Sequence, residues 1–343
     1  MNITKRHIEE LEGCYAVSAL EIDKKLHAFF ATELIGPCVA YDIPSFEKKE
    51  AVWMEPGGCM SILSIPGREN EYIAIQQFYE FWKWEKAKLV WLKRKAAGDY
   101  EAKTLASIPC VHRFDCLTND AGDVYLVACR VAEHKSYGAD WSQPGFVYAA
   151  KLPENLSEDI ELQTIYSGIH QNHGYARICW NGKEAGLITC KKGGFVFTPP
   201  QSDCAEWKIE KILDTPISDA DAIDIDGDGE LEIATIEEFH GKYFRIYKKI
   251  SGEYRMVYEY PEIADFYHVV KAGMIHGKPS FVGGGRGGKQ QLFIIQQENG
   301  AFNATVVDEG EGPSNAAIVN LPDCDLILAA NRNTGKATAY EIK

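Results

Sequence analysis

The sequence predicts an all-β chain, a single seven-bladed β-propeller over residues 1–343, and three observations carry that prediction. Helical periodicity is nearly absent, and short alternating or wholly apolar segments separated by Gly, Asn, Asp and Pro take its place. A unit built from such segments recurs seven times at a mean spacing of about 49 residues, the period of a four-stranded blade packed face to face on its neighbours. The last unit stops after its third strand, KATAYEIK, while the N-terminal TKRHIEEL resembles outermost strands such as EWKIEKIL. A strand over about residues 3–10, paired with the C-terminal blade at 315–343, closes the ring and removes an exposed edge.

In chain order, the first unit is CYAVSALEIDKKLHAFFATE from Cys14, the second MSILSIPGRENEYIAIQQF from Met60 and the third VHRFDCLTNDAGDVYLVACR from Val111. Each reads as two strands about a polar turn. The fourth, HGYARICWNGKEAGLITCKKGGFVFTPP from His173, adds a third strand. The fifth is the clearest: ISDADAIDIDGDGELEIATIEEFHGKYFRIYKKISGEYRMVYEY runs strand, acidic turn, strand, loop, strand, turn, strand over 217–260. HVVKAGMIHGKPSFVGGGRGGKQQLFIIQQ from His268 and NAAIVNLPDCDLILAANRNTGKATAYEIK from Asn315 complete the ring. No Pro/Ser-rich linker marks a boundary between two separate β-domains.

Composition narrows the partners. An apolar fraction of 45% and a charged fraction of 25% are ordinary for a globular chain. A net charge of −14 argues against a nucleic acid or an anionic membrane surface, since both need a basic field. No segment resembles a signal peptide or approaches about 20 uninterrupted apolar residues. The ten cysteines include no C-x-x-C pair and read as free thiols, so a cytoplasmic address is expected.

The stretch DADAIDIDGDGELEIAT in the fifth unit resembles the FG-GAP/VCBS class of propeller repeat, marked by an acidic D-x-D-G-D-G turn between the first two strands. The other units keep the strand pattern without the acids. In that turn Asp224, Asp226, Asp228 and Glu232 crowd about Gly227 and Gly229, the pattern of oxygen ligands and sharp bends that a structural calcium ion (Ca2+) requires. The other reading is a polar turn whose acids satisfy its own backbone.

In an antiparallel meander, the entry to the first strand and the loop from second to third strand share one face. Aligning the units at the strand entry gives His112, His173, Ser218, His268 and Asn315 in units three to seven, with less clear residues near Cys14 and Cys59. Imidazoles converging on a channel, here His112, His173 and His268, suit a divalent transition metal, though each could simply cap its strand. The residues leaving the second strands are Glu33, Gln77, Arg130, Lys191, Glu237, Arg286 and Arg332. Arg130, Lys191, Arg286 and Arg332 suit substrate oxygens, and Glu237 a metal shell or a general base; a solvated polar rim is the other reading. Two insertions share this face. One holds Phe78, Tyr79, Phe81, Trp82 and Trp84; the other holds His134, Tyr137, Asp140 and Trp141. Tyr137 and Trp141 are the candidates for stacking on a sugar, while the 78–84 aromatics suit a core, a wall or a homo-oligomer contact. HQNHGYAR adds His170 and Tyr175, candidates for proton transfer, beside His173.

Walker, nucleophile-elbow and zincin motifs are absent. At the level of fold the chain is similar to propeller carbohydrate lyases, the aldos-2-ulose (anhydrofructose) dehydratases and the oligogalacturonate lyases. The resemblance implies a metal-dependent lyase or dehydratase acting on a small keto-, anhydro- or uronic sugar. The alternative is a non-catalytic propeller that binds a protein or glycan. A concave, histidine-lined site favours the first; an exposed, flat aromatic patch favours the second.

Overall fold

The structure, a computed structural model, describes residues 1–79, 84–156, 160–202 and 204–343. Seven antiparallel sheets of four strands form the blades, and each blade packs on the next around the ring. Six run in sequence order from the channel outward. The seventh joins the chain ends: Ile3–Glu10 lies outermost against Lys336–Ile342, with Ile3 opposite Ile342 and Glu10 opposite Lys336. Asn2 and Lys343 exchange two further backbone hydrogen bonds, 2.7 and 3.0 Å. Lys5 ties this strand to blade six through Asp308 at 2.6 Å.

Strand position explains composition. A second strand such as Glu232–Glu237 is covered by blades on both faces and is buried throughout, whereas the outermost Glu253–Glu259 is largely exposed. The core therefore lies between blades. Phe29, Tyr72 and Val90 fill the first gap. Phe244, Tyr267 and Phe293 fill the gap between blades five and six, with Tyr260 stacked on Phe293 at 3.8 Å. Each such side chain contributes about 1.5–3 kcal/mol on burial.

Four inner strands begin with a break in pairing, where the register skips Tyr15, His112, His268 and Ser314. A residue bulged out of a ladder is re-aimed. Tyr15, His112 and His268 turn into the channel. The sequence alignment assigns this position in blade seven to Asn315; the bulge is Ser314, one residue earlier, whose hydroxyl donates to the Tyr15 carbonyl at 3.1 Å.

Candidate functional site

The loops leaving the second strands bond back to the segments entering the first, as in Lys191 N–H to the His170 carbonyl (2.9 Å) and Arg286 N–H to that of Phe266 (2.7 Å). These contacts build the upper end of the channel. There a chamber of 240 Å³ opens over Tyr15, His112, His173, His240 and His268. Phe78, Tyr79, Trp141 and Phe266 form its walls, and Glu33 and Arg286 reach it as well.

Hydrogen bonds decide what the imidazoles offer. His112 Nδ1 lies 3.2 Å from the His173 carbonyl, and His268 Nδ1 lies 2.6 Å from the Ser314 carbonyl. Carbonyls only accept, so both rings carry their proton on Nδ1 and present a lone pair at Nε2. The Tyr15 hydroxyl stands 3.2 Å from His268 Nε2 and 3.5 Å from His112 Nε2, and its single proton serves one of them at a time. His173 and His240 face each other Nε2 to Nε2 at 3.2 Å. Two such nitrogens share either a proton or a cation.

Burial drives His112, His173 and His268 well below the usual imidazole pKa of 6.5, and His240 to about 3. The Arg113 guanidinium adds to the effect on all four. All are neutral at pH 7, the form in which imidazole ligates a metal. One nitrogen from each of His173, His240 and His268 lies within 4.8 Å of the others, so these three are the residues that could hold a single ion. Burial pushes the Tyr15 hydroxyl up to about 12.

The structure brings the three histidines singled out in the sequence to one chamber, but the group at metal spacing is His173, His240 and His268, with His240 in the place expected of His112. Tyr15 and His240 are the two residues that sequence reasoning missed. Tyr15 hides beside Cys14 because a bulge moves the register by one. His240 lies on a loop, in FHG just beyond Glu237, outside the aligned position.

Other assignments need correction. Glu237 is buried but turned into its blade, where Oε1 accepts from the Thr235 hydroxyl at 2.7 Å and Oε2 pairs with Arg245 at 2.6 Å. It does not line the chamber. Tyr175 opens the inner strand of blade four with its ring against Gly186, and it lines the lower channel instead. His170 stays outside the chamber wall, with Nδ1 3.4 Å from the Trp141 carbonyl. Among the four expected cations, Arg130 is held by the Ala132 carbonyl and the Tyr148 hydroxyl, Lys191 is exposed, and Arg332 pairs with Glu33 at 2.6 Å. Arg286 alone of these faces the chamber, its guanidinium 4.8 Å from the Phe266 ring. Trp141 is in the wall against Phe239, while Tyr137 is 62% exposed. Phe78 and Trp84 are buried, so they form wall and core; Phe81 and Trp82 lie outside the described residues.

At the lower end, the blade-five turn closes on itself. Asp224 accepts from the backbone N–H groups of Gly227, Asp228 and Gly229 at 2.7, 3.1 and 2.9 Å. Positive φ at Gly227 (77°) and Gly229 (90°) makes the bend. Lys248, from the third strand, places its ammonium among Asp226, Asp228 (2.7 Å) and Glu232 (3.2 Å). Lys248 thus supplies counter-charge to the acids for which the sequence leaves open a calcium ion or a polar turn that satisfies its own backbone.

No family model matches this chain, and no curated protein matches it. Among solved structures it is similar to a catalytically inactive histidine-to-alanine variant of virginiamycin B lyase from Staphylococcus aureus, with quinupristin. The TM-score is 0.59 at 12% identity, over 100% of this chain and 99% of that one. The likeness is one of fold, and it agrees with the seven-bladed ring. No helix among the described residues is long and apolar enough to cross a membrane.

Proposed function

We propose that the upper chamber is the active site of a metal-dependent lyase that eliminates water or an alcohol from a small carbohydrate bearing a carbonyl or carboxylate. The observation that carries this reading is the convergence of four neutral imidazoles, three buried and that of His240 half-buried, and a tyrosine hydroxyl on one concave chamber. Protein-binding propellers have no need of such a floor. The structural neighbour being a lyase agrees with the class of reaction, though quinupristin, its ligand, does not define the substrate of this chain.

His173, His240 and His268 are the residues that would hold a divalent transition metal, which when bound supplies a Lewis acid toward the substrate carbonyl. Every other role falls to the chain itself. Arg286 offers its guanidinium to a substrate carboxylate, as the Glu33–Arg332 pair leaves that cation uncompensated at the rim. Trp141 and Phe266 present apolar faces to the C–H side of a sugar ring. His112 Nε2, with its proton fixed on Nδ1, accepts the proton from the carbon next to the carbonyl, and the Tyr15 hydroxyl protonates the departing oxygen. The chamber's 240 Å³ admits one small molecule rather than a polymer. Ten cysteines without a disulfide suit a reducing, cytoplasmic setting.

The test is to screen uronates, keto-sugars and anhydro-sugars with metal-supplemented protein for the ultraviolet absorbance of a new conjugated double bond. Activity lost in Tyr15→Phe and in His112→Gln, with metal content unchanged, supports the assignment. Turnover preserved in both variants would sink it.

A further inference from the structure

Below the floor made by Tyr15 and the histidines, the channel reopens. A second chamber of 480 Å³ takes lining residues from all seven blades. Its charged residues are Arg113, Arg177 and Lys271 against Asp115 and Asp221, an excess of cations inside a chain of net charge −14.

The two carboxylates are already satisfied. Asp115 accepts two N–H groups from Arg177, the Nε one at 3.0 Å, and a third from Cys116 N–H at 2.8 Å. Asp221 accepts from the backbone N–H groups of Ala222 and Ala272 at 2.9 and 3.0 Å. The cations left over are not so well served. Arg113 is 7% exposed, yet it donates to two neutral carbonyls, Met60 at 3.0 Å and His112 at 3.5 Å. Lys271 feels Asp219 and Asp221 on the neighbouring inner strand but makes no hydrogen bond or ion pair among the described residues. Lys271 is half-buried, and a cation as buried as Arg113 without a bonded anion is costly. A ligand that supplies one is stabilised by the same amount.

We propose that the lower chamber is a second binding site, for a small polyhydroxylated molecule carrying one oxyanion, a carboxylate or a phosphate monoester. Lys271 and Arg113 take the oxyanion, and Ser61 and Ser64 on the chamber wall take hydroxyls. This chamber is a separate cavity from the one above, although Arg113 also acts on the imidazoles there. A void of 20 Å³ lined by Arg113, Asp219, His268 and Lys271 separates the two chambers, room for about one water.

The experiment is isothermal titration of the chelator-treated full chain with inorganic phosphate, glucose 6-phosphate and glucuronate, each alone. The expected result is saturable one-to-one binding of at least one probe, weakened 10-fold or more in Lys271→Gln, since a charged hydrogen bond is worth about 1.5–3 kcal/mol. Ser64→Asp, which keeps Lys271 but adds a carboxylate to the chamber, weakens the same binding by repulsion. Phosphate and glucose 6-phosphate binding without glucuronate assigns a phosphate; glucuronate alone assigns a carboxylate. No saturable heat from any probe, or binding that survives Lys271→Gln undiminished, overturns the proposal. Melting curves confirm that both variants fold, and Lys271→Gln alone decides if Ser64→Asp does not.

Discussion

The upper chamber and the blade-five turn each bring three potential metal-ligating side chains within 4.8 Å, and they resolve that crowding in opposite ways. In the turn, the acids meet the chain's own N–H groups and the Lys248 ammonium, with Glu232 Oε1 held by that charge and by no hydrogen bond among the described residues. In the chamber, His112 and His268 use one nitrogen each on a carbonyl and turn the other to the cavity, where the single Tyr15 proton serves one of the two, and no ammonium lines the space. His173 Nδ1 is buried with no hydrogen-bond partner among the described residues. Ligand-type residues at ligand spacing thus say little by themselves. What separates the two is that an ammonium of the chain already sits among the turn's ligand atoms.

That contrast can be broken most sharply with metal content. Purified wild-type protein is expected to hold a near-stoichiometric transition metal, and the double variant His173→Ala, His240→Ala to lose it, a fall in affinity of about 100-fold or more. Asp224→Ala, Asp226→Ala should leave that metal untouched. Equal metal in all three proteins would erase the distinction.

Acidification probes the same four imidazoles. Unfolded, they titrate near 6.5; folded, they titrate below it, so the unfolded chain binds more protons and stability falls as pH drops from about 6.5. Each imidazole kept neutral at pH 5 costs about 2 kcal/mol. Asp219 acts the other way, because burial raises it from 3.8 to about 6 and stability from that group grows as pH falls through this window. Urea unfolding of the metal-free protein at pH 7 and pH 5 should show the net loss. A midpoint that does not move would mean that the rings are solvated.

A smaller effect tests the turn. Lys248→Met leaves Glu232 buried without its ammonium and should cost about 1–3 kcal/mol. Calcium should then raise the melting temperature of the variant while leaving that of the wild type where it is. If calcium stabilises the wild type equally, Lys248 is not the resident cation. Smallest of all, Tyr137→Ala at an exposed loop position should change stability by less than about 0.5 kcal/mol and leave sugar binding intact. A large loss of binding would restore Tyr137 as a ligand contact.

Much of the fold was legible because its signals are local. Alternation and Gly/Asp turns depend on neighbours a few residues away, so units and their period can be counted from the letters. Ring closure by Ile3–Glu10 followed from a missing fourth strand. The histidine register was legible for the same reason, since repeats carry a position from blade to blade. It failed by one residue at Asn315 and passed over Tyr15, because a bulge depends on how inner strands crowd the channel.

By itself, the sequence determined the all-β class, the count of seven blades, the face on which His112, His173 and His268 would meet, and the turn that holds the acids. Tertiary structure alone decided which side chains were left unsatisfied there. Glu33 was neutralised by Arg332, from the opposite end of the chain; Lys248 reached the acidic turn from another strand; Glu237 turned into its own blade toward Arg245. These pairings depend on distances across a closed ring, whereas periodicity reports only the direction a strand's next side chain will point.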